Sequence, residues 1–506
     1  MLANEDQSAP GYGRIAEAAL LGLAALFFVV LTRYHSRHIC DDAFIAFRYA
    51  DNVAVGFGPV WNRGEPVEGF SSPLWLGLLV LGRLLGAPLP VWTAALGVGA
   101  SLLCLVVVHR FALALSASRL VAAAAIAATS LIYPLYYWAP AGLETSLFAL
   151  LATTAAWSLA VPGSWWWAVA AAFLGVARPE GPFLVLVLIA LARLAHGRPA
   201  LRPGLLGLAL APALAWLVFR RAYYGEWLPN TYYAKATGAL LVRLVAGSAY
   251  ALWGILALAA AAATLWLGGI AKRANVAAAI FLSLALAAVV GAGGDWMWHG
   301  RMLVPVLPGL AALTVAGIAA ASPHRRFALA LACALAWSAF LPDASLLASA
   351  FAGGRLPEPA YQEGTLLKAS LQAAQFISAN YPADALVAVN HAGILPRALP
   401  NPTLDMTGLC DRHIAHEIEG RLHQKFDAAY VLSRRPRLVV LNSRTRPGTA
   451  GAWYHPGYWI GEAALVEQPE FAARYRPVPR FWEWQWQAAF DGGYILLYER
   501  IGEQSR

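Results

Sequence analysis

Residues 246–268, AGSAYALWGILALAAAAATLWLG, form an apolar run without a single charged side chain. A transmembrane helix needs about 20 consecutive apolar residues, so this stretch predicts one complete membrane crossing. The rest of the chain has the same character, because 59% of its 506 residues are hydrophobic and only 13% are charged. Soluble proteins are about a quarter charged. The sequence therefore predicts a polytopic α-helical membrane protein.

Further apolar segments raise the predicted number of transmembrane helices to eleven. Together with 246–268, the predicted spans are 15–33, 91–109, 119–138, 144–161, 165–177, 180–195, 204–222, 275–292, 302–321 and 327–342. The stretch 72–86 is apolar over only about fifteen residues, which predicts an interfacial or re-entrant helix. The predicted transmembrane domain covers residues 1–345 and includes a polar outer loop at 35–72.

Residues 350–506 change in character and predict a separate soluble domain. They are richer in charge, Pro and Tyr, and they contain short β-like runs at 385–389 (ALVAV), 437–442 (RLVVLN) and 494–498 (YILLY). A length of about 150 residues suits one domain. We therefore expect a C-terminal α/β domain outside the membrane. The Trp-rich run FWEWQWQ (481–487) either packs at its edge or stacks on sugar rings.

The distribution of charge gives a topology. If the spans alternate from an inside N-terminus, the inside loops after the first span contain nine Lys and Arg residues and no acidic residue. This excess agrees with the positive-inside rule, so the net charge of +9 indicates topology rather than nucleic-acid binding. Four residues just outside the first span are exceptions to the positive-inside rule: Arg33, His35, Arg37 and His38. The acidic residues between the first and last spans all fall outside: Asp41, Asp42, Asp51, Glu65, Glu68, Glu144, Glu180, Glu226 and Asp295.

The first outer loop begins with two adjacent carboxylates, Asp41 and Asp42. In a strand or loop these side chains would point in opposite directions, and one of them could act as a general base toward an acceptor hydroxyl. The alternative is a helix cap for a segment beginning at Ala43, since Asp is a favoured N-cap residue. Glu65 and Glu68 are expected to order the loop, against Arg48 or Arg63.

Two further motifs place charge at the ends of predicted spans. Glu144 begins one span within GLETSLF (142–148), where an anion suits a helix N-terminus. Arg178 and Glu180 lie in ARPEGP (177–182), at a helix junction interrupted by proline. Non-helical backbone at that depth is tolerated where it is buried in protein or lines a wet cavity. A surface kink without function is the alternative for this junction.

Two outer segments add cations. YYGEWLPNTYYAK (223–235) is an aromatic loop in which Asn230 and Lys235 stand out, and Lys235 could hold a phosphate as a point charge. GGDWMWHGR (293–301) places Asp295, His299 and Arg301 beside two glycines. His299 and Arg301 could neutralise a leaving phosphate while Asp295 orients one of them. A snorkelling arginine with an interfacial histidine is the alternative.

Carboxylates and cations on one membrane face can activate a hydroxyl and stabilise a phosphate leaving group. The sequence contains neither a GxxxxGK[ST] run nor a Rossmann-type glycine fingerprint, so a nucleotide-sugar or ATP mechanism is not favoured. The four cysteines show no CxxC spacing, which disfavours zinc. Cys40 and Cys410 fall in polar regions where a disulfide between them is possible.

The motifs resemble those of the GT-C class of integral-membrane glycosyltransferases. In finer detail they are similar to the terminal β-(1→2)-arabinofuranosyltransferase family of mycobacteria and corynebacteria. The resemblance rests on DDAFIAFRYADN (41–52), GFGPVWNRGEPVEGFSSPLW (56–75), ARPE (177–180), GEWLPNTYYAK (225–235), GGDWMWHGR (293–301) and NHAGILPRALPNPTLDMTGLCD (390–411).

The resemblance implies a polyprenyl-phosphate sugar donor, a glycan, lipid or protein acceptor in the cell envelope, and the outer face of a bacterial cytoplasmic membrane. It gives Asp41, or otherwise Asp42, the role of catalytic aspartate. The residues implied in donor binding are Arg48, Glu144, Arg178, Glu180, Asn230, Lys235, Asp295, His299 and Arg301. His391, Asp411 and His413 are candidates for acceptor binding. Asp41, Asp42 and Glu144 could hold a divalent cation through oxygen ligands.

The sugar stays open at this point, since no residue identifies arabinofuranose. A non-catalytic membrane protein is the alternative from another class: a transporter or flippase of lipid-linked sugars, or a scaffold of envelope or motility machinery. A transporter is expected to bind near the midplane and often shows repeated halves, and the sequence shows no such repeat.

Overall fold

The computed structural model describes residues 12–35, 39–235, 238–297, 299–341, 358–420, 422, 424–443, 460–478, 485–487 and 492–502. The chain divides into two compact units. We call residues 1–36, 94–216 and 240–354 the helical unit, and residues 37–93, 217–239 and 355–506 the mixed unit. The predicted sequence domains divide near residue 345, whereas the mixed unit also takes in the outer loop and residues 217–239. The reason is a set of hydrogen bonds from these segments to the C-terminal residues, described below.

Helices account for most of the first 340 residues. In chain order they are α1 (Tyr12–His35), α2 (Asp41–Ala54), α3 (Pro73–Leu84), α4 (Leu89–Ser116), α5 (Arg119–Ser130), α6 (Tyr133–Trp138), α7 (Thr145–Ala160), α8 (Trp166–Ala177), α9 (Gly181–His196), α10 (Pro203–Tyr223), α11 (Asn230–Lys235), α12 (Leu240–Leu267), α13 (Arg273–Ala292), α14 (Leu307–Ala320) and α15 (Pro323–Trp337). Short 3-10 turns lie at Arg198–Leu201, Arg301–Leu303 and Ser338–Phe340.

Within the described residues, four helices are long and apolar enough to cross a membrane: α4, α10, α12 and α13. Six more are apolar but have only 10–17 residues: α3, α5, α7, α8, α9 and α14. These helices place the chain in a membrane. Every predicted span overlaps a helix, and the predicted interfacial stretch 72–86 matches α3. The number of crossings, eleven, stays a prediction.

One predicted span is divided in the structure. Residues 119–138 form α5 and α6, with a break at Leu131 and Ile132. Ile132 caps α6 in an extended conformation, and Pro134 lies in the first turn that follows. Proline lacks a backbone N–H and clashes with the preceding helical turn, so it is tolerated in a first turn but not in the middle of a helix. The sequence run that reads as one span therefore contains its own breaking point.

Glycines bring helices of the helical unit close together. A Cβ on Gly247 of α12 would overlap the carbonyl oxygen of Val290 in α13, and one on Gly317 of α14 would lie 2.6 Å from Cβ of Thr264 in α12. Such small residues let helix backbones approach where lipid provides no hydrophobic drive for association. The three helices therefore pack with their backbones in contact.

Among the described C-terminal residues of the mixed unit, the structure shows six helices and a six-stranded sheet. The helices are α16 (Glu358–Asn380), α17 (Ile394–Ala398), α18 (Arg412–Glu417), α19 (Ala428–Ser433), α20 (Ile460–Val466) and α21 (Pro469–Arg474). The strands are β1 (Val387–Val389), β2 (Thr403–Asp405), β3 (Leu438–Ser443), β4 (Tyr475–Pro477), β5 (Gln485–Gln487) and β6 (Gly492–Arg500).

The sheet has the order β2-β1-β3-β6-β4, with β5 also paired to β6. β1 runs parallel to both of its neighbours, with Val387 opposite Thr403 on β2 and Leu438 on β3, whereas β6 is antiparallel to its partners. A mixed sheet suits an α/β domain, because parallel strands need crossover connections, usually helical. The β-like runs at 385–389, 437–442 and 494–498 overlap β1, β3 and β6.

Short helices cover one face of the sheet. Ala388, Val439 and Leu496 from three strands pack into one buried cluster with Val431 of α19 and Leu465 of α20. Burying such side chains contributes on the order of 1.5–3 kcal/mol each. This core fixes the strand ends, and the loops that follow β1 and β2 carry the polar residues considered next.

Candidate functional site

Asp41 and Asp42 lie in the first turn of α2, in the mixed unit. The expected strand or loop is therefore wrong at this position. The alternative, a helix cap for a segment beginning at Ala43, is closer to the structure, because a helix does begin here. The cap residue is Cys40, however, and no side chain accepts a capping hydrogen bond. The sequence forms a helix here because apolar residues recur on one face, including the buried Phe44 and Phe47, and because acidic residues suit a first turn.

The Asp41 carboxylate meets the loop that follows β1. Its Oδ1 accepts a hydrogen bond of 2.8 Å from the backbone N–H of Ile394. Burial raises the pKa of Asp41 to about 7, although the backbone N–H groups of Ile394 and Gly393 stabilise the ionised form. The nearby charges of Asp42 and Asp405 also raise it. A carboxylate with a pKa near 7 is well matched to general-base work at neutral pH.

The predicted acceptor residues make contacts within the mixed unit. Asp411 caps α18 by accepting from the Ile414 N–H at 3.0 Å, and it also accepts from the Tyr430 hydroxyl at 2.9 Å. His413 stacks on the Tyr430 ring at 4.0 Å and lies 2.9 Å from Asp427. Both side chains therefore help to hold α18 and α19 in place.

His391 differs from this pair. It follows β1 and is partly exposed, and burial lowers the pKa of its imidazole to about 4. The ring is therefore neutral at neutral pH, so it can donate through one nitrogen and accept through the other. A neutral ring of this kind suits hydroxyl recognition better than binding of an anion.

Arg48 and Asn230, both predicted in donor binding, are hydrogen-bonded to backbone carbonyls. Arg48 donates to the carbonyls of Trp61 at 2.8 Å, Asn401 at 3.1 Å and Pro396. The Asn230 amide donates to the carbonyls of residues 408, 409 and 411, at 2.9, 3.0 and 3.3 Å. These contacts tie α2 and α11 to the C-terminal segment, and they favour a structural role for both residues.

The glutamates of the first outer loop have other partners than Arg48 and Arg63. Glu68 forms a buried, two-pronged ion pair with Arg220 at the end of α10, with distances of 2.5 and 3.1 Å. Glu65 is largely exposed and accepts from the Asn62 amide at 3.0 Å. The expectation that these residues order the loop fits both contacts. The partner of Glu68 comes from a helix far along the chain, which no local pattern indicates.

The helical unit has its own polar cluster at helix ends. Arg178 directly follows α8, while Glu144 and Glu180 directly precede α7 and α9. The Nε atom of Arg178 lies 3.1 Å from Glu180 and 3.8 Å from Glu144. Within the described residues this buried Nε makes no hydrogen bond of suitable geometry. The guanidinium is thus charge-paired with two carboxylates.

A second arginine of the helical unit lies beyond α13. Arg301 donates from Nε to Asp295 at 2.7 Å, and its guanidinium lies 5.9 Å from the centre of the Trp138 ring. The Tyr250 hydroxyl accepts from the Met302 N–H at 3.1 Å, and the charges of Asp295, Arg301 and Arg178 all act on it. The two arginine clusters are therefore neighbours. Gly294 lies against Tyr250 with a positive φ of 80°, which permits this close approach.

His299 occupies an aromatic box. Its ring lies 4.7 Å from that of Tyr133 and 4.6 Å from that of Tyr137, and its Nε2 is 3.3 Å from the Tyr133 hydroxyl. Its φ of 57° is uncommon for a residue with a side chain. Burial lowers the pKa of His299 to about 4, so the ring is neutral at neutral pH. A neutral ring does not suit the expected role of His299 as a cation toward a phosphate.

The remaining predictions concern Lys235, a disulfide between Cys40 and Cys410, and a divalent cation. Lys235 is partly exposed at the end of α11. Cys40 and Cys410 are buried thiols without a disulfide between them in the described chain. Among the described residues no three His, Cys, Asp or Glu side chains are grouped to hold a metal ion, so the divalent cation stays a prediction. Arg37, His38 and residues 481–484 lie outside the described residues, as do the side chains of His35 and 485–487.

The structure adds side chains that the motifs did not single out. Tyr133 and Tyr137 lie in an apolar run, YPLYYW, where their spacing alone reads as packing. Gly393 and Ile394 lie inside the stretch 390–411 that carried the resemblance, but without a charge or hydroxyl to mark them. A pair of tyrosines four residues apart on either side of Pro134 was the available signal.

The sequence is similar to curated glycosyltransferases over part of its length. It is 32% identical over 232 residues to the terminal beta-(1->2)-arabinofuranosyltransferase of Mycobacterium tuberculosis, covering 40% of this chain and 35% of that protein. It is 30% identical over 358 residues to the protein of the same name from Corynebacterium glutamicum, covering 60% of this chain and 51% of that protein. The chain thus spans about half or less of the curated relatives it matches. Residues 359–498 match a family described as "Domain of unknown function (DUF8728)".

The fold extends over nearly the whole chain. The structure is similar to ArnT from Cupriavidus metallidurans, crystallised with undecaprenyl phosphate, with a TM-score of 0.54 and 18% identity. The match covers 97% of this chain and 98% of ArnT. At this identity the likeness is one of fold. The chain therefore has the fold of the GT-C membrane glycosyltransferases, and the predicted sequence resemblance to the terminal β-(1→2)-arabinofuranosyltransferases is confirmed.

Proposed function

We propose that this protein is a GT-C-type glycosyltransferase that moves a sugar from a polyprenyl-phosphate donor to a cell-envelope glycan, lipid or protein. The observation that carries the proposal is the 30–32% identity to two proteins named for arabinofuranosyl transfer. The ArnT structure holds undecaprenyl phosphate, which supports a polyprenyl-phosphate donor for this fold. Arabinofuranose is the sugar that the names of the relatives favour.

The reaction needs a base for the acceptor hydroxyl. In the proposed step Asp41 takes the hydroxyl proton while the acceptor oxygen forms a bond to the anomeric carbon of the donor sugar. The bond from that carbon to the phosphate oxygen breaks, and its electron pair leaves with the polyprenyl phosphate. The proton on Asp41 then passes to water. A pKa of about 7 lets Asp41 accept and release this proton at neutral pH.

The leaving phosphate needs cations. We assign this role to Arg178 and Arg301, which are buried at helix ends and held by carboxylates. The carboxylates keep the arginines in place before the donor binds, and preorganised charge is the largest catalytic contribution in many enzymes. His299 in its tyrosine box then supplies a neutral hydrogen bond, and Glu144 and Glu180 are available to sugar hydroxyls.

The contacts of the mixed unit support a division of roles among the predicted residues. Arg48, Asn230, Asp411 and His413 are proposed to shape the site rather than to touch substrate, since carbonyls and neighbouring side chains already bind them. His391 remains the candidate for acceptor contact, and Lys235 for donor phosphate. The proposed setting is the outer face of a bacterial cytoplasmic membrane, with eleven crossings and the C-terminal domain outside.

Transfer can be measured with purified protein, radiolabelled polyprenyl-phosphate sugars and short glycan acceptors. We expect D41N to lower transfer at least about 100-fold, the usual scale for loss of a general base. R301A is expected to lower it about as much, as for the loss of one oxyanion donor. Asp384→Asn changes an exposed carboxylate of the same unit and is the matched control.

The outcomes separate the assignments from the activity. If D41N, D42N and R301A all retain full transfer, the site is wrongly assigned. If the wild-type protein binds a lipid-linked sugar yet transfers it to no acceptor, the transporter or flippase alternative is favoured instead. A protein that neither binds nor transfers any polyprenyl-phosphate sugar would fit a scaffold.

A further inference from the structure

The loop that follows β1 lies directly against Asp41, although no sequence motif links the two segments. Gly393 has φ and ψ of −94°, and its N–H and that of Ile394 both face the Asp41 carboxylate. A Cβ on Gly393 would overlap the Asp41 backbone oxygen and lie 2.6 Å from its Oδ2. Only glycine therefore allows the loop to come this near to the start of α2.

The same loop is fixed to α2 along its length. Arg48 of α2 donates to the carbonyls of Pro396 and Asn401, and Arg397 of α17 pairs with Asp51 of α2 at 3.0 Å. The Arg397 guanidinium also lies 5.2 Å from the centre of the Phe47 ring. These four contacts beyond Asp41 thus hold the two segments in one register, and the Ile394 N–H has a defined position.

We propose that Gly393 and the backbone N–H of Ile394 are positioning elements for the catalytic carboxylate of Asp41. The inference rests on the proposed function, because it assumes that Asp41 is the base. The N–H holds Oδ1 and so fixes the orientation of the carboxylate at the start of α2. It also favours the ionised form, and so it offsets the burial of Asp41 and the neighbouring charges of Asp42 and Asp405.

Proline at position 394 tests the hydrogen bond directly. Ile394→Pro removes the N–H, and proline is well tolerated at the first position of a helix. Without this donor the ionised form of Asp41 is less stable and its pKa rises. The acidic limb of the plot of kcat/KM against pH should therefore move to higher pH. A hydrogen bond to a charged group corresponds to a shift of about one pH unit. Ile394→Val trims the same side chain and keeps the N–H, so its limb should stay in place.

Gly393→Ala is the second variant. Its methyl group must displace Asp41, so we expect at least about a 100-fold fall in kcat, with the donor KM changed less than threefold. Gly77→Ala in α3, where an added Cβ meets nothing within 4 Å, is the control with normal activity. Thermal unfolding of each variant shows whether the protein is folded.

The results either support the proposal or overturn it. A pH limb that is the same in Ile394→Pro and wild type, or full activity in Gly393→Ala, overturns the positioning role while wild-type transfer still supports the enzyme. If Ile394→Pro cannot be obtained folded, Gly393→Ala decides alone. If wild-type protein transfers nothing, the proposed function itself fails, and the two failures are thereby distinguished.

Discussion

The two compact units use the same residue types in different ways. In the mixed unit Arg220 is saturated by the two oxygens of Glu68, and Arg48 by backbone carbonyls. In the helical unit Arg178 is equally buried and lies beside two carboxylates, yet its Nε lacks a well-directed hydrogen bond within the described residues. The charge of Arg178 is thus balanced by two carboxylates at helix ends, which suits the donor-phosphate role proposed for it. The saturated arginines instead hold the chain together.

The largest expected effect breaks a saturated pair. Glu68→Ala leaves Arg220 as a buried charge without its carboxylate, and the loss of one partner from a buried pair costs about 3–5 kcal/mol. The free energy of unfolding of the detergent-solubilised protein, or its thermal midpoint, measures the loss. Glu65→Ala removes a largely exposed carboxylate three residues away and should change stability by less than about 0.5 kcal/mol. Equal effects of the two would contradict the buried pair.

The next prediction tests the other side of the comparison. Arg178→Lys keeps the positive charge beside Glu144 and Glu180 but loses the planar fork that binds phosphate, so transfer should fall about 100-fold. The thermal midpoint should move by only a few degrees. Arg220→Lys is the matched change in the mixed unit and is expected to lower the midpoint more than the activity of the folded fraction. The reverse pattern would mean that Arg220, and not Arg178, meets the ligand.

A smaller effect concerns Glu462, a buried side chain of the mixed unit whose hydrogen bonds are not all filled in the described part of the chain. Its Oε1 accepts from the Asn442 side chain at 2.8 Å, whereas its buried Oε2 has no partner among the described residues. Burial raises the pKa of Glu462 to about 8. The folded protein therefore keeps a proton that the unfolded chain loses above about pH 4.5, and stability falls as the pH rises from there toward 8. At pH 7 the cost is about 3 kcal/mol.

Glu462→Gln should remove this pH dependence. Glutamine keeps an acceptor for Asn442 and cannot ionise, so the variant should be more stable than wild type at pH 8 and about equal at pH 5. Thermal midpoints at the two pH values measure the difference. A wild-type midpoint that rises between pH 5 and pH 8 while the variant stays level would show that the carboxylate is ionised and bound by another group.

Much of the fold could be predicted from the sequence, because a helix that crosses lipid must be long and apolar. Every predicted span overlaps a helix, and β1, β3 and β6 fall on the predicted β-like runs. The sequence does not predict the start of α2, because two adjacent carboxylates suit a strand or loop as well as a helix. The Phe44, Phe47 and Ala50 spacing is helical, but it lies in a segment too short and polar to read as a span.

The site was harder to predict, since its key contacts join residues far apart in the chain. Glu144, Arg178 and Glu180 could be placed because each stands at a helix end that proline or a span boundary marks. The partners of Glu68 and Asp41 could not, because Arg220 and the Ile394 N–H come from distant segments. The charge state of His299 also depends on burial between two tyrosines, which spacing along the chain does not reveal.

The mixed unit is assembled from three separated stretches of chain, and this sets an order of events during synthesis. The Asn62 amide donates to the carbonyl of Thr403 across 341 positions. At 5–20 residues per second, roughly 20 to 70 seconds pass between the synthesis of these two partners. Throughout that interval the first outer loop lacks the strands that hold it, while the intervening helices enter the membrane. The segment that carries Asp41 is thus made well before the strands that complete its surroundings.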